Sequence, residues 1–255
     1  MKTLPVALQI YTVRDYAAKD FRGTMQAVKD MGYDYVEMGE LFGMCSCEVK
    51  AILDEIGLEA VSVHAPLAEL AADMETAIDK YKVLGCKYIA IPYLGEGSRP
   101  GDDGFARVLA DIKAVGALCH SKGMTLLYHN HDFEFVKLES GEYAFDYMYS
   151  NVDPDYLQTE IDTCWVKVGG ECPSGYIRKY SGRCPVVHLK DFAGKKSEDF
   201  AFRPIGYGVQ DIPAILEASV ESGALYIVVE QDSSDDCTSL EAAEMSRKYL
   251  KTLGW

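Results

Sequence analysis

A unit that recurs along the chain limits its fold more than any other feature. It is a segment with helical apolar spacing, a glycine, one to three residues, and then a short β-rich run that ends in a reactive side chain. Gly32 precedes Tyr35-Val36-Glu37, and Gly57 precedes Ala60-Val61-Ser62-Val63-His64. Gly85 precedes Tyr88 to Tyr93, Gly123 precedes Leu126-Leu127-Tyr128-His129, and Gly223 precedes Leu225 to Glu230. Glycine there suits a helix C-terminus, where the left-handed turn disfavours any residue with a Cβ. Further runs at Val6 to Tyr11, Tyr156 to Asp162 and Pro185 to His188 complete a set of eight. Between the runs, Phe21 to Met31, Val49 to Ile56, Met74 to Leu84, Phe105 to Cys119, Ile212 to Ser222 and Leu240 to Leu253 place apolar residues three and four apart, which predicts helices.

Strands that alternate with helices and lack hairpin signals should be parallel and buried on both faces. At 255 residues the expectation is an α/β chain forming one (β/α)8 TIM barrel, a single domain over residues 1–255. An open doubly wound sheet would want a glycine-rich phosphate turn after its first strand, and Tyr11-Thr12-Val13-Arg14-Asp15 is not one. The connections Leu94 to Asp103 and Phe192 to Gln210 read as long loops after strand ends, the second of them structureless and suited to a lid.

In a barrel the polar residues at strand ends should gather at one rim. In order these are Gln9, Glu37, His64, Tyr93, His129 with His131, Asp162, His188 with Lys190, and Glu230. The densest stretch is Tyr128-His129-Asn130-His131-Asp132-Phe133-Glu134-Phe135, where two imidazoles share a face just past an apolar run. Each residue also has a plainer reading. Asp162 could cap the next helix, Lys190 could sit in a surface ion pair, and Trp165 could pack in the core.

Charge narrows the partners. Forty acidic against twenty-five basic residues leave a net charge of −15, which disfavours binding to a phosphodiester backbone. No window offers the run of apolar residues that a membrane span needs. The eight cysteines lack a paired CxxC framework, so neither a zinc knuckle nor a disulfide scaffold is expected. With no signal-peptide pattern at Met1-Lys2-Thr3-Leu4-Pro5, a cytoplasmic protein is expected.

Several words make a family resemblance specific. Beside the 128–135 stretch stand Glu160-Ile-Asp-Thr-Cys-Trp165, His188-Leu-Lys-Asp191, Gly206-Tyr-Gly-Val-Gln-Asp211 and Val229-Glu-Gln-Asp232. With Leu8 to Asp15, they resemble the sugar phosphate isomerase/epimerase family. This is the xylose isomerase-like TIM barrel group, which includes inosose dehydratases, ketose 3-epimerases and endonuclease IV. The resemblance implies one divalent ion (Mn, Mg or Zn) held by a residue from each of the last four strands. Asp162, His188 and Glu230 match three of the positions. For the fifth strand, where ketose epimerases place a glutamate, the matching residue is His129. Glu134 is preferred here as the ligand, because an oxygen-rich site suits manganese or magnesium.

The expected activity is a metal-dependent isomerase or epimerase of a sugar or keto-sugar, acting by proton abstraction next to a carbonyl. His131 or Glu230 would be the base and Lys190 or His64 the acid. Glu37, His64, His129 and Trp165 would face substrate. The alternatives are a lyase that dehydrates a keto-sugar or inosose, and a non-catalytic carbohydrate-binding barrel. The expected partner is a small sugar, with a homo-oligomer an open possibility.

Overall fold

The computed structural model describes residues 3–196 and 198–255. Met1, Lys2 and Ser197, the last within the expected 192–210 loop, lie outside the described residues. Eight parallel strands close a barrel: β1 (Val6–Gln9), β2 (Tyr35–Met38), β3 (Glu59–His64), β4 (Tyr88–Ile91), β5 (Thr125–His129), β6 (Gln158–Asp162), β7 (Val186–Leu189) and β10 (Tyr226–Val229). The strands neighbour one another in chain order, and β10 closes the ring onto β1. The remaining strands, β8 (Asp191–Ala193) and β9 (Ala201–Arg203), form an antiparallel pair on the rim. The expected structureless loop over 192–210 is therefore wrong in part, since Phe192 pairs with Phe202 across a hairpin.

The five marker glycines all take positive φ, from 75° at Gly123 to 94° at Gly32, as the sequence pattern required. The helix Phe21–Met31 has its expected bounds, and Ser46–Ile56 begins three residues earlier than its apolar spacing suggested. Its start is set by a capping box between Cys45 and Glu48, which periodicity does not report. Among the described residues Cys45 and Cys47 form one local disulfide, and the other six cysteines are free, so there is no disulfide scaffold.

Strand alternation sorts the barrel into layers. Leu8, Val36, Tyr128 and Ile161 point outward to the helices, while Ala7, Val61, Ala90, Leu127, Val186 and Val228 fill the interior. Tyr35 and Tyr88 pack edge-on against Tyr226 beneath that plug, with ring centres 5.7 and 6.5 Å away. The next inward positions toward the strand C-termini are polar: Gln9, Glu37, His129, Glu160 and His188. An apolar floor thus carries a polar tier, and the chemistry has only one end at which to sit. Among the described residues no helix is long and apolar enough to cross a membrane.

Candidate active site

Register brings the site together. Pairing of β5 with β6 sets His129 opposite Glu160, and pairing of β6 with β7 sets Asp162 opposite His188. Asn130 points outward and locks this level, accepting from the Asp162 N–H at 2.9 Å and donating to the Asp162 carbonyl at 3.3 Å. One ligand-capable atom from each of His129, Asp162, His188 and Glu230 lies within 4.8 Å of the others, and all four residues are buried.

Two carboxylates behind the histidines decide which nitrogens face that cluster. His129 meets Glu160 through Nδ1 at 3.1 Å and turns Nε2 toward Asp162, 3.6 Å away. His188 meets Glu37 through Nε2 at 2.6 Å and turns Nδ1 toward Glu230, 3.1 Å away. An imidazole that donates one N–H to a carboxylate offers its other nitrogen as a lone pair, the usual support of a metal-bound histidine. Asp162 Oδ1 caps the helix Thr163–Val168 by accepting from the Trp165 N–H at 3.0 Å. Its Oδ2 is buried without a hydrogen-bond partner, the Lys190 ammonium standing 3.5 Å away, so capping and ligation are compatible. An orphaned buried carboxylate oxygen among two directed imidazoles and a second carboxylate fits a divalent cation.

A second group, His64, His129, Glu160 and His188, is equally compact. Filling both groups would require His129 and His188 to bind through both ring nitrogens and give up both protons. The first group, with two carboxylates against one in the second, better balances a divalent charge and is the better single site.

Glu134, expected as the fifth-strand ligand, is not in either group. Its carboxylate accepts from the Tyr128 hydroxyl and from the His131 N–H. The short 3-10 turn Phe133–Phe135 carries it to the outer side of β5, where Tyr128 points. His129, expected to face substrate, stands in both groups instead. Glu37 is likewise displaced from its expected substrate-facing role. It is fully buried and bound by Gln9, Ser62, His64 and His188.

Above the cluster lies a cavity of about 350 Å³ lined by Tyr11, His64, Tyr93, His131, Lys190 and Asp232 among others, with His129 and Glu230 at its floor. Lys190 is buried and meets Glu230 at 3.0 Å and Asp232 at 2.6 Å, which excludes the surface ion pair. His64 bridges Glu160 and Glu37 through Nε2 at 2.8 and 3.1 Å. The His131 ring stacks on Phe133 and tilts against Trp165, with centres 5.5 and 5.3 Å away. Trp165 is not among the cavity's lining residues and packs against Phe200 and Phe202 of the hairpin.

Burial and mutual charge perturb every group. Burial raises Asp162 to about 6, and burial together with the charge of Glu37 raises Glu160 to about 7. Burial would raise Glu230 too, but the Lys190 ammonium together with His188 and His129 outweighs it and holds that carboxyl well below its ordinary range. Burial lowers His188, yet the Glu160 and Glu37 carboxylates prevail and keep it well above the usual imidazole value. Burial, reinforced by Lys190, drives His131 down to about 3.

Sequence reasoning passed over Asp232 and Asp191 as individual residues. Asp232 lies two positions beyond Glu230, so shared strand-like facing was the available signal. Asp191 is a buried carboxylate that accepts from the backbone N–H groups of Phe192, Gly206, Gly208 and Gln210. It pins the 192–210 connection. A Cβ on Gly208 would lie 2.2 Å from Asp191 Oδ1, which explains the glycine.

Fold and site together define a class: a (β/α)8 barrel with a buried histidine and carboxylate cluster, able to hold a cation, at the C-terminal mouth. The chain belongs to the xylose isomerase-like TIM barrel family, whose model matches residues 25–253. It is similar to the inosose dehydratase of Geobacillus kaustophilus (strain HTA426), 25% identical over an alignment that covers 90% of this chain and 86% of the relative. The inosose dehydratase of Lacticaseibacillus casei is 24% identical, covering 88% of each. Among solved structures, a sugar phosphate isomerase/epimerase from Parabacteroides distasonis ATCC 8503 superimposes with a TM-score of 0.84 at 22% identity, over 97% of this chain and 98% of the other. An L-ribulose 3-epimerase gives 0.75 at 16%, over 97% and 93%.

Proposed function

We propose that this protein is a metal-dependent enzyme acting on a polyhydroxylated ketone, a keto-sugar or cyclic inosose, by removing the proton next to the carbonyl and then eliminating water. One observation carries this reading: of the cation-competent group His129, Asp162, His188 and Glu230, two members, His129 and Glu230, line one cavity with His64, His131 and Lys190. When bound there, a divalent ion would polarise the substrate carbonyl and favour negative charge on its oxygen. Glu160 and Glu37 hold the two ligand imidazoles in the required tautomers.

His131 is the base. Its Nδ1 has no hydrogen-bond partner; burial and Lys190 keep the ring neutral at rest, and the negative charge that develops on the substrate would offset the imidazolium as the α-proton is accepted. Lys190, held by Asp232 beside the same cavity, donates a proton to the departing β-hydroxyl, so that water leaves and a carbon–carbon double bond forms. The fifth-strand position favours this outcome over a symmetric two-carboxylate epimerisation. His129 stands there, and Glu230, the remaining carboxylate of that mechanism, is tied to Lys190. The inosose dehydratase relatives support the same choice. A second reading, isomerisation or epimerisation by proton return from His64, draws support from the likeness to an epimerase fold and from the place of His64 in the cavity.

The test is to load the purified protein with Mn, Mg or Zn, measure metal content, and incubate it in deuterated water with inososes and ketoses. Dehydration gives an ultraviolet-absorbing enone or enol and loss of water. Epimerisation gives deuterium in recovered sugar with mass otherwise unchanged. Failure to bind metal, or absence of both label and product across the panel, would refute the proposal.

A further inference from the structure

We infer that Glu134 is the positioning residue for His131, acting through the backbone of the turn that follows β5 and outside the metal cluster. The inference rests on the reading of His131 as the base.

The other three histidines at the mouth are each oriented through the ring by a carboxylate: His64 by Glu160 and Glu37, His129 by Glu160, and His188 by Glu37 and Glu230. His131 has no such hold. Its ring nitrogen Nδ1 is buried without a partner, and its ring is confined by Phe133, Trp165 and the edge of Tyr93. The polar contact recorded for His131 is its backbone N–H, donated to Glu134 Oε2 at 2.8 Å.

Glu134 is in turn fixed at its other oxygen by the Tyr128 hydroxyl. Tyr128 is fully buried in the helix-facing layer, and its carbonyl accepts from the Tyr149 hydroxyl at 3.2 Å. The carboxylate therefore links the immobile end of β5 to the start of the turn and fixes where residue 131 leaves the strand. Among the described residues no lysine, arginine or histidine side chain forms an ion pair with it. A fully buried carboxylate without a counter-cation is costly, and a packing role alone would be met by an apolar residue that accepts no hydrogen bond. Burial also raises its carboxyl to about 7, consistent with that cost. Misplacing a reacting group by roughly 1 Å can cost about 100-fold in rate, which gives the carboxylate a physical purpose.

The experiment compares metal-loaded wild type with Glu134→Ala, Glu134→Gln and Tyr128→Phe, using metal content, kcat, KM and hydrogen exchange over residues 131–135. Glu134→Ala should keep its metal and bind substrate with KM within about threefold, while kcat falls about 100-fold. Glu134→Gln keeps an oxygen acceptor of the same reach and should restore kcat to within about threefold. Tyr128→Phe, which retains the carboxylate but loosens it, should fall between the two. The inference is overturned if Glu134→Gln is as slow as Glu134→Ala, if either variant loses metal, or if Glu134→Ala turns over normally. Should the wild type itself show no turnover, the proposed function fails separately. The positioning role is then judged by exchange alone: protection of 131–135 that is lost in Glu134→Ala and kept in Glu134→Gln supports it, and equal protection in all variants overturns it.

Discussion

Replacing Glu134 with glutamine should stabilise the fold at alkaline pH and leave it nearly unchanged in acid. The Glu134 carboxyl is raised from 4.5 to about 7, chiefly by burial. Between these values the folded protein holds the proton and the unfolded chain releases it, so unfolding releases a proton and stability falls as pH rises. The penalty is absent below the unfolded value and complete above the folded one. Each pH unit is worth about 1.36 kcal/mol, so the gap corresponds to about 3 kcal/mol. Glutamine has no charge to bury and should be free of this loss. The assay is urea unfolding of metal-free wild type and Glu134→Gln, followed by circular dichroism at a series of pH values from acid to alkaline. Other raised carboxyls, Glu160 and Asp162 included, are common to both proteins and cancel in the difference. Stability of the variant relative to wild type should climb by about 3 kcal/mol across the range, equivalent to about 6 °C in Tm for a chain of this size. A difference that stays flat with pH, or that climbs toward acid, would refute the burial argument.

Other outcomes follow from the same geometry. His129→Ala should abolish stoichiometric metal binding in metal analysis after dialysis, whereas Glu134→Gln should retain it; the reverse pattern would restore Glu134 as ligand. Glu160→Gln, which leaves every proposed ligand in place but weakens the support behind His129, should lower metal affinity about 10- to 100-fold in chelator competition. Asp191→Ala strips the acceptor from four backbone N–H groups. It should cost about 3 kcal/mol and open the chain to protease between β8 and β9, while the barrel stays folded by circular dichroism.

The repeat of helix, glycine and short strand was legible because it reflects local sterics: an apolar face at one period, a left-handed turn that glycine tolerates, and a strand at another period. That was enough to expect a barrel and to place its rim; it was the family resemblance that set Asp162, His188 and Glu230 apart from the other rim residues. The choice between His129 and Glu134 was not legible. Strand alternation orders side chains only while the strand lasts, and β5 ends at His129. Beyond it the turn carries Glu134 to the face of Tyr128, and no periodicity rule covers that step. Nor could the chain alone show that Glu37 stands behind His188, 151 residues away, or that a hairpin interrupts the 192–210 connection.

By itself, then, the amino-acid order determined the elements, their alternation, and which side chains end each strand, since those depend on residues a few positions apart. The tertiary structure decided which of them converge, which nitrogen each imidazole presents, and which carboxylate stays outside the barrel. Those outcomes depend on register and closure among strands distant in sequence, where a shift of one residue turns an inward side chain outward.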